Sequence, residues 1–214
     1  MQQGNYGSKI MIASFRISTA MVALLLAASC ARSSDPAQYR PVDCRHFPNL
    51  NPVVCKLTSD GAIVVSRQSL ADISFGPEGL GSIIVDNRDL YFVTRQGKTA
   101  PALIFDNGPD YVVEGLARTV KNGKIGFINA ELHQVVAPIW DFAFPFEHGV
   151  AVVCMGCASK PAPPNDDHEH QTMTGGKWGY IDKHGRIVVP VVYDPRSLPP
   201  VEVAEKLAIQ LGRN

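Results

Sequence analysis

Cys154-Met155-Gly156-Cys157 is followed, a few residues on, by Asp166-Asp167-His168-Glu169-His170. These types at this spacing allow three chemistries. In an oxidising compartment the two thiols close a disulfide. As thiolates joined by His168 and His170 they make a Cys2His2 metal set, although H-x-H departs from the usual H-x3–5-H spacing. As a redox pair they need a βαβ context and a helix N-terminus to lower a thiol pKa, and neither is visible in the sequence. The acidic and histidine run alone either holds a divalent ion or is a solvated loop. Cys44 and Cys55 flank "RHFPNLNPVV" and read as a second disulfide. The chain-entropy model gives that loop about 2.8 kcal/mol and the tighter C-x-x-C loop about 1.9.

Other reactive constellations are absent from the sequence. It holds no G-x-S-x-G, no H-E-x-x-H, no P-loop and no G-x-G-x-x-G. The expectation is therefore a non-catalytic protein with no catalytic residues and no cofactor. Twenty basic residues balance twenty acidic ones, and they are scattered, so nothing supports nucleic-acid binding. Trp140 and Trp178 read as core rather than as a ligand-stacking platform.

Export is written at the N-terminus. Lys9 and Arg16 precede an apolar stretch from Ile17 to Ala28 that ends in "LLLAASC". The stretch is too short for the roughly 20 residues a spanning helix needs, and its small-residue exit fits a signal peptide over residues 1–29. Translation starts at Met1 or Met11. "LAASC" resembles the bacterial lipobox, which implies that Cys30 becomes a lipidated first residue. With Ala31 rather than Asp next, the resemblance implies an outer-membrane lipoprotein facing the periplasm, held to the membrane only by its lipid. Cys30 is also the odd one of five cysteines, and its removal leaves two pairs. Residues 30–43, polar and Pro-containing, read as a tether.

The elements that must position these residues form a repeat. From residue 44 short Val/Ile/Phe/Tyr runs alternate with Gly, Asn, Asp and Pro. Gly61, Gly97, His133 and Gly185 occupy one turn position, at intervals of about 36 residues with a final interval about 16 longer. Glu78-Gly79-Leu80, Glu114-Gly115-Leu116 and Glu147-His148-Gly149-Val150 keep the same period. So do Phe105-Asp106, Trp140-Asp141 and Tyr193-Asp194. The extra length falls in 154–174, which reads as an inserted loop within a domain over 44–194.

"GKWGYID" at 176–182 and "GKIGFIN" at 123–129 open two of these units. They resemble the bacterial WG-repeat (KWG-repeat) family, with Gly126, Phe127, Trp178, Gly179, Tyr180 and Asp182 at the motif positions. "DLYFVT" at 89–94 is a copy without the glycine. Trp178, Tyr180 and Asp182 share one strand face, Gly179 and Ile181 the other. Gly179 and Gly126 leave room for close backbone approach. A single hairpin cannot bury its apolar face, whereas stacked copies can.

The fold expected is all-β: stacked β-hairpin repeats of about 35 residues, solenoid-like, with a small propeller or barrel as the alternative. Residues 195–214 read as a short C-terminal helix or cap, with Val203, Leu207 and Leu211 as its core-facing stripe. The function expected is an envelope lipoprotein whose repeat surface binds a protein or a cell-wall component. The alternative is metal or thiol-redox handling through Cys154, Cys157, His168 and His170.

Overall fold

The computed structural model describes residues 39–160 and 172–212. The signal peptide, Cys30 and the run from Asp166 to His170 lie outside the described residues. The strands, in chain order, are β1 (Tyr39–Pro41), β2 (Cys44–His46), β3 (Pro52–Val53), β4 (Cys55–Thr58), β5 (Ile63–Val65) and β6 (Leu80–Val85). There follow β7 (Asp89–Thr94), β8 (Thr99–Pro101), β9 (Ile104–Phe105), β10 (Gly108–Pro109), β11 (Leu116–Lys121) and β12 (Lys124–Asn129). The last are β13 (Gln134–Trp140), β14 (Phe142–Ala143), β15 (Val150–Lys160), β16 (Thr172–Asp182) and β17 (Ile187–Tyr193), before one helix, α1 (Val201–Leu211).

The repeating unit is a three-stranded antiparallel meander. It occurs as β6-β7-β8, β11-β12-β13 and β15-β16-β17. The expected hairpin is its second and third strands, and the first strand begins at each Glu-Gly landmark. Strands β3 and β2 extend the first sheet, β14 extends the last, and β1-β4-β5 forms a partial unit ahead of them. Pairing thus begins at Tyr39, inside the stretch read as tether. Among the described residues no sheet closes into a barrel.

Four turns join second to third strands by one rule. A polar residue precedes each turn: Thr58, Thr94, Asn129 or Asp182. Its carbonyl accepts the N–H of Gly61, Gly97, Leu132 or Gly185, at 2.9–3.0 Å. Asp182 strengthens its turn further, taking the N–H groups of His184 and Arg186, each at 2.9 Å, on Oδ1. The turn-glycine position in the middle unit is therefore Leu132, at φ 61°, and not His133. A non-glycine residue pays strain there, and its misalignment by one residue is invisible to spacing alone.

Gly126 and Gly179 mark where the third strand bulges. Ile125 pairs with Trp140 and Phe127 with Val136, so three residues of β13 pass one residue of β12. Trp178 pairs with Tyr193 and Tyr180 with Val189 in the same way. The bulged backbone comes so close that a Cβ on Gly126 would lie 2.6 Å from the Val136 carbonyl oxygen, and one on Gly179 2.5 Å from that of Val189. Pro138 and Pro190 lie in the bulges, where a missing N–H removes no ladder bond. The first sheet supplies a control. Tyr91 holds the glycine place in β7, and β8 pairs with it without any register shift.

Each sheet packs one face backward and one forward. Leu90 and Phe92 of β7 meet Ala117 and Ile128 of the middle sheet. Ile125, Phe127 and Trp140 meet Ala143, Phe146, Ala151, Val153 and Ile181. A buried ion pair reinforces this junction. Arg118 in β11, 1% exposed, donates Nη2 and Nε to the Asp110 carboxylate at 2.6 and 2.8 Å and Nη1 to the Ala143 carbonyl at 2.9 Å. The forward face of the last sheet, with Tyr180, Val150 and Val189, is covered by Val201, Ala204 and Ala208 of α1.

Two sequence expectations change here. The stripe Val203, Leu207, Leu211 does not face the core: these residues are 37–43% exposed. The helix instead docks its small side, because Tyr180 Oη donates to the Pro199 carbonyl at 2.9 Å and the fully buried Ala204 lets the helix approach closely. Nor is 154–174 wholly a loop. β15 and β16 pair out to Lys160–Thr172 and form a ribbon that extends past the sheet.

Two glycine substitutions separate steric crossing from backbone strain. Gly179→Ala places Cβ against immovable backbone and should cost about 3 kcal/mol. Gly115→Ala has open space but φ 84°, and should cost about 1 kcal/mol. Urea unfolding midpoints of the two variants give the order.

Candidate functional site

The motif residues are buried. Phe127 is 1% exposed, Tyr180 4%, Trp178 and Asp182 5%. Phe127 packs edge-on against Phe146 with ring centroids 4.6 Å apart. Trp178 Nε1 donates to the Gly175 carbonyl at 2.8 Å, and Trp140 is 4% exposed, so neither indole offers a stacking platform. Asp182 is held below the usual carboxylate range. Burial alone would raise it, but the Arg186 side chain, with the N–H groups of Arg186 and His184, outweighs that. These residues set the geometry of the sheets.

Between them lies a clasp that the sequence reading missed. Lys124 Nζ bonds Asp141 at 2.5 Å, and Lys177 Nζ bonds Asp194 at 2.9 Å. The lysine that precedes Ile125 or Trp178 thus meets the acid that follows Trp140 or Tyr193. The signal was present, since both pairs are 17 residues apart. Neither half shows it locally, because the lysine lies in one strand and the acid follows the next.

The middle clasp also holds the root of the β15–β16 ribbon. Asp141 Oδ2 accepts the Gly156 N–H at 2.7 Å. Gly156 lies inside the loop closed by Cys154 and Cys157, which form one disulfide, while Cys44 and Cys55 form the other. Gly156 and Gly176 both take positive φ, and a Cβ on Gly176 would collide with the Cys157 amide and Cys154 Sγ. Trp178 packs against both sulfurs' residues, with Phe142 beside them. Cys154 is fully buried and Cys157 is 9% exposed. A sulfur in a disulfide offers no thiolate to an ion. His168 and His170 lie outside the described residues, so the structure does not place them against the cysteines. Among the described residues no three His, Cys, Asp or Glu side chains converge as a metal would need.

What the repeat turns outward is aliphatic. Ile104, Ile139 and Val192 each stand immediately before the aromatic-Asp pair of their unit, and are 55%, 51% and 61% exposed. Spacing gave these positions, but a β-branched residue one place before an aromatic reads as ordinary strand. Ile139 and Val192 are turned out at the bulges, whereas Ile104 is exposed on β9 in the unit without one.

The clasp has a signed pH dependence. The Asp141 carboxyl is lowered chiefly by the hydrogen bond from Lys124, then by that from Gly156. A depressed carboxyl stabilises above its unfolded value, near pH 4, and loses that contribution as pH falls through the folded value. Asp141→Asn should cost about 1 kcal/mol at pH 7, with loss of Gly156 amide protection. The difference from the parent should shrink toward zero as pH falls through the folded value. Hydrogen exchange at Gly156 across that range measures it.

The WG containing repeat family profile matches residues 125–156 and 178–194. No curated protein and no solved structure matches the chain. The first matched segment runs from β12 through the crossing β13 and Asp141 into β15, and the second holds the crossing of the last sheet and Asp194, each beginning one residue after its clasp lysine. The middle and last sheets are thus similar to the WG containing repeat, the middle one with Ile125 in place of the tryptophan.

Proposed function

We propose that this chain is a non-catalytic binding module of the bacterial cell envelope, exported, lipidated at Cys30 and held in the outer membrane, and that its repeat surface contacts a protein or cell-wall partner. One observation carries the reading: Ile139 and Val192 hold the same bulge position in the middle and last sheets and are each more than half exposed, and Ile104, the matching residue in sequence, is exposed on β9. Isolated surface aliphatics need no explanation, whereas apolar residues repeated in register give a partner equivalent footholds. Both ends of the stack are covered, by β1-β4-β5 and by α1, so the flanks remain for contact. The lipobox resemblance supports the anchor.

Photo-crosslinking side chains placed at Ile139 and Val192 in intact cells should give the same discrete adduct, and one at Gly61, remote in the repeat, should not. Smears at all three would defeat the reading. Cys30→Ser should abolish palmitate labelling and release the protein from the membrane fraction, and unchanged labelling would defeat the lipoprotein part.

The rival reading is metal or thiol-redox handling through Cys154, Cys157, His168 and His170; the closeness of the two cysteines suits a redox pair as they stand, and a metal only once they are reduced. Counting free thiols in the protein isolated from its own compartment, before and after chelation, separates the two. Thiols that appear only with a reductant favour the binding module. Thiols released by a chelator favour metal.

A further inference from the structure

The first sheet lacks the crossing, and its third strand leaves early. In the middle sheet the residue opposite Ile125 is Trp140, and in the last sheet the residue opposite Trp178 is Tyr193. In the first sheet the corresponding neighbour of Leu90 is Ala102, whose N–H donates to the Leu90 carbonyl at 2.9 Å. The aromatic of this unit, Phe105, has moved away into β9. There it is 45% exposed and meets Tyr111 edge-on, with ring centroids 6.2 Å apart. An alanine thus stands where two other units place a large ring. It and Leu90 are buried against the middle sheet, and an open groove of about 400 Å³ lies beside them, lined also by Asp89, Tyr91, Leu103, Ile104 and Val120.

The clasp is broken in the same unit. Where Lys124 and Lys177 stand in the other two sheets, the first has Asp89. The acid after its aromatic is Asp106, so both halves of the clasp are carboxylates. No lysine or arginine lines the groove. Arg88 reaches Asp89 at 3.2 Å, but the two side chains are 79% and 52% exposed, and such a pair is readily displaced.

We propose that this groove receives an aromatic side chain of a partner protein, presented beside a basic residue on an extended segment. The partner supplies what the unit omits: a ring in the groove against Tyr91, Leu103 and Val120, and a cation to Asp89. The ring gives affinity, since aromatic side chains dominate such pockets. The cation gives orientation and selectivity. The proposal rests on the reading of the chain as a binding module and locates one of its contacts.

The test uses the mature full-length protein and three capped dipeptide amides: Lys-Trp, Lys-Ala and Glu-Trp. Methyl and amide NMR shifts report where each binds. Lys-Trp should shift Tyr91, Leu103 and Val120, with Lys-Ala at least about tenfold weaker and Glu-Trp about fivefold weaker. Ala102→Phe should fill the groove and remove the Lys-Trp response. Because Ala102 is 3% exposed, the exposed variant Asp89→Lys provides the second arm. It should keep the parent's unfolding midpoint and reverse the preference between Lys-Trp and Glu-Trp. Equal responses to Lys-Trp and Lys-Ala, shifts confined to another surface such as Phe144, or no shifts at all would overturn the proposal. An unchanged preference in Asp89→Lys would overturn the basic requirement. These failures leave the discrete adducts at Ile139 and Val192 standing. Loss of those adducts with groove shifts intact would instead defeat the wider reading.

Discussion

The close crossing of backbone over Gly126 and Gly179 is the constraint on which the repeat depends. A strand that pairs normally keeps its neighbour in register and ends where its partner ends. At these glycines, three residues pass one, and the third strand returns to its partner displaced by two. Everything characteristic of the unit follows. The returning aromatic lands opposite the residue before the glycine, the next acid lands beside the preceding lysine, and the bulged aliphatic turns outward. The first sheet shows the converse. With Tyr91 at the glycine place there is no displacement, no returning ring and no clasp, and the chain leaves toward β9 and β10.

Much of this architecture was legible in the sequence, because turns and crossings are where residue type is most restricted. Gly61, Gly97 and Gly185 announced their turns, and the alternation around Trp178 gave the strand faces. What was hidden depends on contacts between residues far apart. Leu132 takes a left-handed conformation for which leucine gives no signal, held by hydrogen bonds shared with three other turns. The helix stripe misled because amphipathicity gives a face but not its direction. The smaller Val201, Ala204, Ala208 side fits under Pro199, and the larger residues are left outside. The ribbon was hidden by its glycines, since Gly156, Gly175 and Gly176 read as loop until their pairing partners are known.

The same distinction explains why the repeat motif says so little about biochemistry. Its aromatic and acidic residues are spent inside, on packing and on the turn at Asp182. The residues free to meet another molecule lie where the motif is silent: the aliphatic before each aromatic-Asp pair, the ribbon beyond the Cys154–Cys157 loop, and the side of the sheet where the unit is incomplete. In an array of near-copies, individuality resides in the exceptions.

The Arg118–Asp110 pair gives the array a fixed order. Arg118 draws one acceptor from the segment ahead of its own sheet and another, the Ala143 carbonyl, from the segment behind it. The matching places in the first and last sheets, two residues into their opening strands, hold Ser82 and Val152. A buried guanidinium is tolerated only with its partners in place. A unit copied, deleted or exchanged by recombination would strand that charge, or strand Asp110 without it. Repeat proteins usually grow and shrink by whole modules. This one carries, at its central junction, an addressed joint that accepts one neighbour on each side, so its middle unit is not interchangeable with the others.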